Sequence, residues 1–130
     1  MSTDLPELGV DVPILKQGPY LIATVQSALS DADLLGLREA IMAGIGRHRS
    51  RGVIIDVTSL DVMDSFATDL LCEIAQMTRL RGAKTVIVGI QPDVAYAMAH
   101  MGLTLEGIVA ALDLEEGLAL LDQGANGRKS

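Results

Sequence analysis

Two short apolar runs, Val53–Val57 (VIIDV) and Lys84–Ile90 (KTVIVGI), limit what this chain can become. Neither alternates polar and apolar residues along its length, so neither reads as a strand with one wet face. Both read as strands covered on two sides, the pattern of a parallel sheet. Parallel neighbours need a crossover connection, and the segment between the runs supplies one. Phe66, Leu70 and Ile74 fall in one i, i+4 row and Ala67, Leu71 and Ala75 in the next, which predicts an amphipathic helix beginning near Asp64 or Ser65. That double row is taken as the buried stripe. Asp69 is placed in the first turn and Arg79 and Arg81 in the last, in accord with the helix dipole, with Gly82 just beyond the end.

The flanking segments extend the pattern. Val12–Gln17, with Pro13 marking an edge or a strand start, and Tyr20–Val25 are separated by Gly18-Pro19 and predict an antiparallel hairpin. Ser30 or Asp31 can cap a helix running to about His48, with Leu34, Leu37, Ile41 and Ile45 at helical spacing. Its far end carries Arg47, His48, Arg49 and Arg51, read as a solvated terminus whose cations face the negative end of the dipole. Gln91-Pro92-Asp93 opens a shorter helix in which Val94, Ala97, Met98 and Met101 can face inward. Ile108–Leu112 predicts a last short strand, and Asp113 caps a C-terminal helix with Leu114, Leu118 and Leu121. Residues 1–9 are expected to form an irregular lead-in, and the tail from residue 123, clearly so from Gly124, is expected to fray. The resulting order, β-β-α-β-α-β-α-β-α, defines a single α/β domain over residues 10–122.

Composition excludes several classes. A formal charge of −7 opposes nucleic-acid binding, which needs a dense cationic surface. Cys72 is the sole cysteine, so no intramolecular disulfide can form, and its place in an apolar pattern predicts a buried thiol. The N-terminus lacks a basic and apolar leader, and no apolar segment approaches the roughly 20 residues that cross a bilayer. A cytoplasmic protein is expected, with no nucleic acid and no membrane among its partners.

Most catalytic signatures are missing. There is no G-x-G-x-x-G, G-x-x-x-x-G-K-[ST] or G-x-S-x-G. Gly82-Ala83-Lys84-Thr85 imitates the end of a phosphate loop but precedes a strand. His48 and His100 both fall near helix C-termini, so no metal, cofactor or catalytic residue is expected. Asp56, Asp61 and Asp64 gather at the carboxyl end of a parallel strand, where open α/β sheets place their sites. A phosphoacceptor-aspartate receiver would need a lysine there, and Lys16, Lys84 and Lys129 are not positioned for it. Ser65 has two readings: with Asp64 it is part of an ordinary helix cap, or its hydroxyl is a phosphorylation target. Phosphate would bring about −1.5 to −2 charges beside Asp61, Asp64 and Asp69 and would oppose a partner packed over the turn.

The segments IIDVTSLDVMDSFATDLL, GAKTVIVGIQPDVAYAMAHMGL and IVAALDLEEGLALL together resemble the STAS family of anti-anti-sigma-factor proteins, in particular RsbS-type members of the bacterial stressosome. The resemblance covers about residues 10–122. It implies a mixed sheet of four to five strands with helices mainly on one side. It also implies a non-enzymatic scaffold that joins RsbR-like paralogues in a large hetero-oligomer and sequesters an RsbT-like serine/threonine kinase until Ser65 is phosphorylated. The paralogues carry an N-terminal sensor domain for which 130 residues leave no room, and this favours the RsbS type. Asp61, Asp64, Ser65, Phe66 and Thr68 are then the kinase-docking surface. The stretch around Tyr96 and Ala97 lacks a second acceptor, whereas Thr58 and Ser59 are neighbouring hydroxyls expected to satisfy turn amides. Self-association is a further expectation. The alternatives are a small monomeric antagonist that binds an anti-sigma factor directly, and a ligand-binding or enzymatic α/β domain using the same acids.

Overall fold

The structure, a computed structural model, describes residues 13–26 and 30–127, with side chains described as far as residue 123. The lead-in, Val12 and residues 128–130 lie outside the described residues. The hairpin strands are β1 (Ile14–Gln17) and β2 (Tyr20–Thr24), followed by α1 (Asp31–His48), β3 (Gly52–Asp56) and α2 (Ser65–Leu80). The remainder is β4 (Lys84–Val88), α3 (Pro92–His100), β5 (Val109–Ala111) and α4 (Leu114–Gly127). Strand order in the sheet is the order in the chain, β1-β2-β3-β4-β5. β1 is antiparallel to β2, and every other neighbour is parallel. The mixed sheet of four to five strands that the resemblance implies is present, with five.

Alternation along the central strands sends side chains to two separate cores. Leu21, Ala23, Val53, Ile55 and Ile87 face α1, α2 and α3, where Leu37, Ile41, Leu71 and Ile74 meet them. Tyr20, Ile22, Ile54, Val86 and Val88 face the opposite way and are covered by Leu114, Leu118 and Leu121 of α4. Covering both faces is what permits the continuous apolar runs. Ile54 and Ile55 are adjacent, point in opposite directions and are both fully buried.

Local signals set the helix ends. Ser30 accepts the Asp33 amide while Asp33 accepts the Ser30 amide, both at 3.1 Å, a reciprocal capping box for α1. Asp113 accepts the Glu116 amide at 2.9 Å, and Glu116 in turn accepts the Leu112 amide at 2.7 Å. From that start α4 runs to Gly127, past Gly124, where the sequence predicts fraying. No proline interrupts the segment, and each added residue of a nucleated helix gains a hydrogen bond. β4 ends at Val88, short of Ile90, because Gly89 turns to φ +82°.

Several expected burials shift. Phe66 is 39% exposed, so the stripe on α2 begins at Ala67 and runs through Leu70, Leu71, Ile74, Ala75 and Thr78. Asp69 is the fifth residue of α2 and lies outside its first turn. Cys72 is half-buried, its Sγ 3.6 Å from the Thr104 carbonyl oxygen. On α3 only Val94 and Met98, one i, i+4 pair, are buried, while Ala97 and Met101 are exposed, because this short helix meets the core along a single row. Tyr96 and His100 stack on its outer side.

Candidate functional site

The carboxyl end of β3 leads into a loop that is tied down on its inner side and free on its outer side. The Asp56 carboxylate accepts the Thr58 amide at 2.9 Å and the Thr58 hydroxyl at 2.6 Å. Gln91, the residue preceding α3, donates its side-chain amide to the Thr58 carbonyl at 2.6 Å. Gly89 lies directly beneath: a Cβ there would collide with Thr58, and its positive φ disfavours any side chain. Thr58 is thus engaged through its amide, hydroxyl and carbonyl, but its hydroxyl donates to the Asp56 carboxylate and satisfies no turn amide; the aspartate takes the role that the sequence reading assigned to the threonine. Leu60 and Met63, 7% and 3% exposed, anchor the loop in the core. Between them Asp61 and Val62 project outward, Val62 being 70% exposed.

The end of the loop divides two tasks between adjacent residues. Asp64 is the N-cap of α2 and accepts the Ala67 amide through Oδ1 at 2.9 Å. Ser65 is the first helical residue and is exposed. The helix start therefore takes its side-chain cap from the aspartate and leaves the serine hydroxyl unspent. The Thr68 amide bonds the Asp64 carbonyl at 3.0 Å, whereas the amides of Ser65 and Phe66 carry no bond to the described residues. These two donors sit at the positive end of the helix dipole, an environment suited to an anion on Ser65.

Thr68 does not belong to this surface. It is 1% exposed, and its hydroxyl donates to the Asp64 carbonyl at 2.9 Å, because position 68 has rotated onto the core side of α2. Asp61, Asp64, Ser65 and Phe66 are all exposed and lie together. Three contributors were missed from the sequence. Val62 has no periodic signal because it belongs to a loop. Asp31 and Leu34 arrive from α1, since β2 and β3 run parallel with Thr24 opposite Asp56 and so bring their following loops together. That adjacency is implicit in any parallel pair, but only once the strand order is known. Asp31, Asp61, Asp64 and Val62 rim a shallow cleft of about 270 Å³ floored by Leu34, Leu60 and Ala67, and its lining contains neither histidine nor lysine. Among the described residues no three metal-ligating side chains cluster.

These features are those of a STAS domain. The family model for the STAS domain matches residues 11–114, and the chain belongs to that family. Among solved structures, a serine-to-glutamate variant of RsbS from Moorella thermoacetica is similar to this chain at 35% identity and a TM-score of 0.76. That match covers 88% of this chain and 97% of the other. A chain from the structure described as the molecular architecture of the stressosome, a signal integration and transduction hub, is 33% identical with a TM-score of 0.70. It covers 87% of this chain and 98% of its own. The RsbT co-antagonist protein RsbRA of Bacillus subtilis is 29% identical over 82 residues, 63% of this chain. The matched part spans only 30% of that protein's length. No helix among the described residues is long and apolar enough to cross a membrane.

Proposed function

We propose that this chain is a phospho-switched scaffold of the RsbS kind, which holds an RsbT-like serine/threonine kinase and RsbR-like paralogues and releases the kinase once Ser65 is phosphorylated. The observation that carries the reading is the division of labour at α2: an exposed hydroxyl at the first helical position, with the cap supplied by Asp64. Similarity to the RsbS variant and to the stressosome chain over nearly the whole domain supports the same reading. So does the chemistry around the serine. Val62 and Phe66 offer apolar contact, and Asp31, Asp61 and Asp64 offer negative charge, to a partner laid over the cleft. Phosphate adds about −1.5 to −2 charges at the centre of that contact. The free amides of the helix start stabilise it in the unbound chain, while burial beneath a partner next to three carboxylates penalises it. Release follows from that difference.

The chain is in this reading a substrate for another protein's chemistry; the cleft beside Ser65 is lined by aspartates and apolar residues, with no histidine or lysine. The test is incubation of the chain with a cognate kinase and ATP, followed by mapping of the modified residue. Label confined to Ser65 and abolished in Ser65→Ala supports the proposal. Equal labelling of Ser65→Ala, or label on Thr58 or Ser59, rejects it. Sedimentation with an RsbR-like paralogue tests the scaffold role: a persistent monomer in the mixture favours the small antagonist that binds an anti-sigma factor directly.

A further inference from the structure

The end of the sheet opposite Ser65 has a different chemistry. β3 starts there at Gly52, about 13 Å of strand away from Asp56. The chain ends of α1 and α2 converge on this pole, and between them lies a cavity of about 420 Å³ lined by Gly46, Arg49, Ser50, Arg51 and Arg81. In a chain of net charge −7, this is a local concentration of cations. The only ion pairs among the described residues belong to Arg38, so none of these three guanidinium groups is neutralised by a carboxylate contact. Arg81 lies over Gly46, one Nη 3.5 Å from the point where a Cβ would stand.

Ser50 supplies the second observation. It is 5% exposed, and its hydroxyl has no hydrogen-bond partner. Buried hydroxyls without partners are uncommon and costly, and one beside a cationic cavity is a donor in want of an acceptor. The helix dipoles alone do not account for the charge. Two C-termini amount to about −1 elementary charge in total. Asp122, held by the Tyr20 hydroxyl near Arg51, adds one more negative charge. Three guanidinium groups exceed that sum, and Arg47 adjoins them in sequence.

We propose that Arg49, Ser50, Arg51 and Arg81 form a binding site for a small, multiply charged oxyanion of the phosphate class. Guanidinium groups donate paired N–H groups to such oxygens, and the Ser50 hydroxyl donates to one more. The site rests on none of the reasoning about Ser65 and sits at the other end of the sheet.

The test is a titration of the full chain with inorganic phosphate and with pyrophosphate, followed by amide chemical shifts at constant ionic strength. Saturable shifts centred on Ser50, Arg51 and Gly82 are expected, with pyrophosphate binding more tightly. Arg51→Gln with Arg81→Gln is expected to weaken binding by roughly tenfold or more. Arg47→Gln, outside the lining, is expected to leave it unchanged. Ser50→Ala separates a ligand-binding hydroxyl from a structural one: without phosphate its melting temperature should equal or exceed that of the parent, and the stabilisation produced by phosphate should shrink. Unsaturable shifts, equal effects of Arg47→Gln and the double variant, or undiminished phosphate stabilisation in Ser50→Ala overturns the site.

Discussion

At the start of α2 the Asp64 carboxylate takes the Ala67 amide, and the neighbouring serine takes no part in the cap. Removing an aspartate cap costs about 1 kcal/mol. Asp64→Ala is therefore expected to lower the melting temperature by about 3 to 5 °C in a domain of this size, and Asp64→Asn, which keeps an acceptor, by less. Ser65→Ala should stay within about 0.5 kcal/mol of the parent, as surface substitutions do. Thermal unfolding followed by circular dichroism decides the matter, and a loss in Ser65→Ala equal to that in Asp64→Ala would place the cap on the wrong residue. The sequence located this helix start but offered two oxygens for one cap. What separates them is the path of the chain, extended at Asp64 (φ −86°, ψ −175°) after the buried Met63. Thr68 was legible but misread: it stands three residues before Leu71 and seven before Ala75, on the edge of the buried stripe, and its polar side chain disguised that place.

Among the elements, α4 is the one whose existence was legible and whose position was not. Leu114, Leu118 and Leu121 announce an apolar row, but nothing in that spacing says which face of the sheet receives it. The sheet itself holds the answer: Ile54, Val86 and Val88 need a cover on the side away from α1 and α2, and α4 provides it. Close approach depends on Gly117, where a Cβ would stand 2.8 Å from a Val88 methyl. Alanine is favoured over glycine in a helix by up to about 1 kcal/mol. The clash falls on a stiff, β-branched side chain inside a packed core, where added methyl groups typically cost about 1 to 3 kcal/mol. Gly117→Ala is thus expected to destabilise the domain in denaturant titration, and a stabilised variant would mean that α4 rides further from the sheet. Further along the same helix the Tyr20 hydroxyl donates to Asp122. Burial first, and then that hydrogen bond and charge, raise the Tyr20 pKa above its ordinary value of 10.0, against an opposing effect of Arg51. A raised pKa favours the neutral phenol in the folded state, so this contribution is full below about pH 10 and declines as pH rises towards the folded value. Tyr20→Phe should flatten that part of the alkaline stability curve; an unchanged slope would show that the phenol is not responsible.

For the molecule as a whole, the parallel strands set two poles: loops carrying Asp31, Asp61 and Asp64 at one end, and Arg49, Arg51 and Arg81 at the other. The general layout followed from the sequence because buried runs and amphipathic helices alternate in it. The juxtaposition of α1 with the loop before α2 did not, because it depends on β2 lying beside β3. That juxtaposition shapes the last prediction, which concerns the proposed kinase. If the partner covers the cleft, its affinity should rest chiefly on the apolar projections, because buried apolar anchors carry more binding energy than rim charges do. Val62→Asp and Phe66→Asp replace exposed side chains and should fold with near-parental melting, yet each should weaken kinase capture by about tenfold or more. The acidic rim acts differently: charge reversal there should change the association rate and its salt dependence more than the dissociation rate. Phosphorylated Ser65 combines the two effects. Repulsion within a desolvated contact is only partly screened, since a Debye length of about 8 Å at physiological salt acts mainly on exposed charges. The loss of capture on phosphorylation should therefore persist when salt is raised, while the smaller effect of Asp61→Lys fades. Calorimetry at low and high salt separates these outcomes, and a phosphorylation effect that salt abolishes would place Ser65 at the rim of the contact and not beneath it.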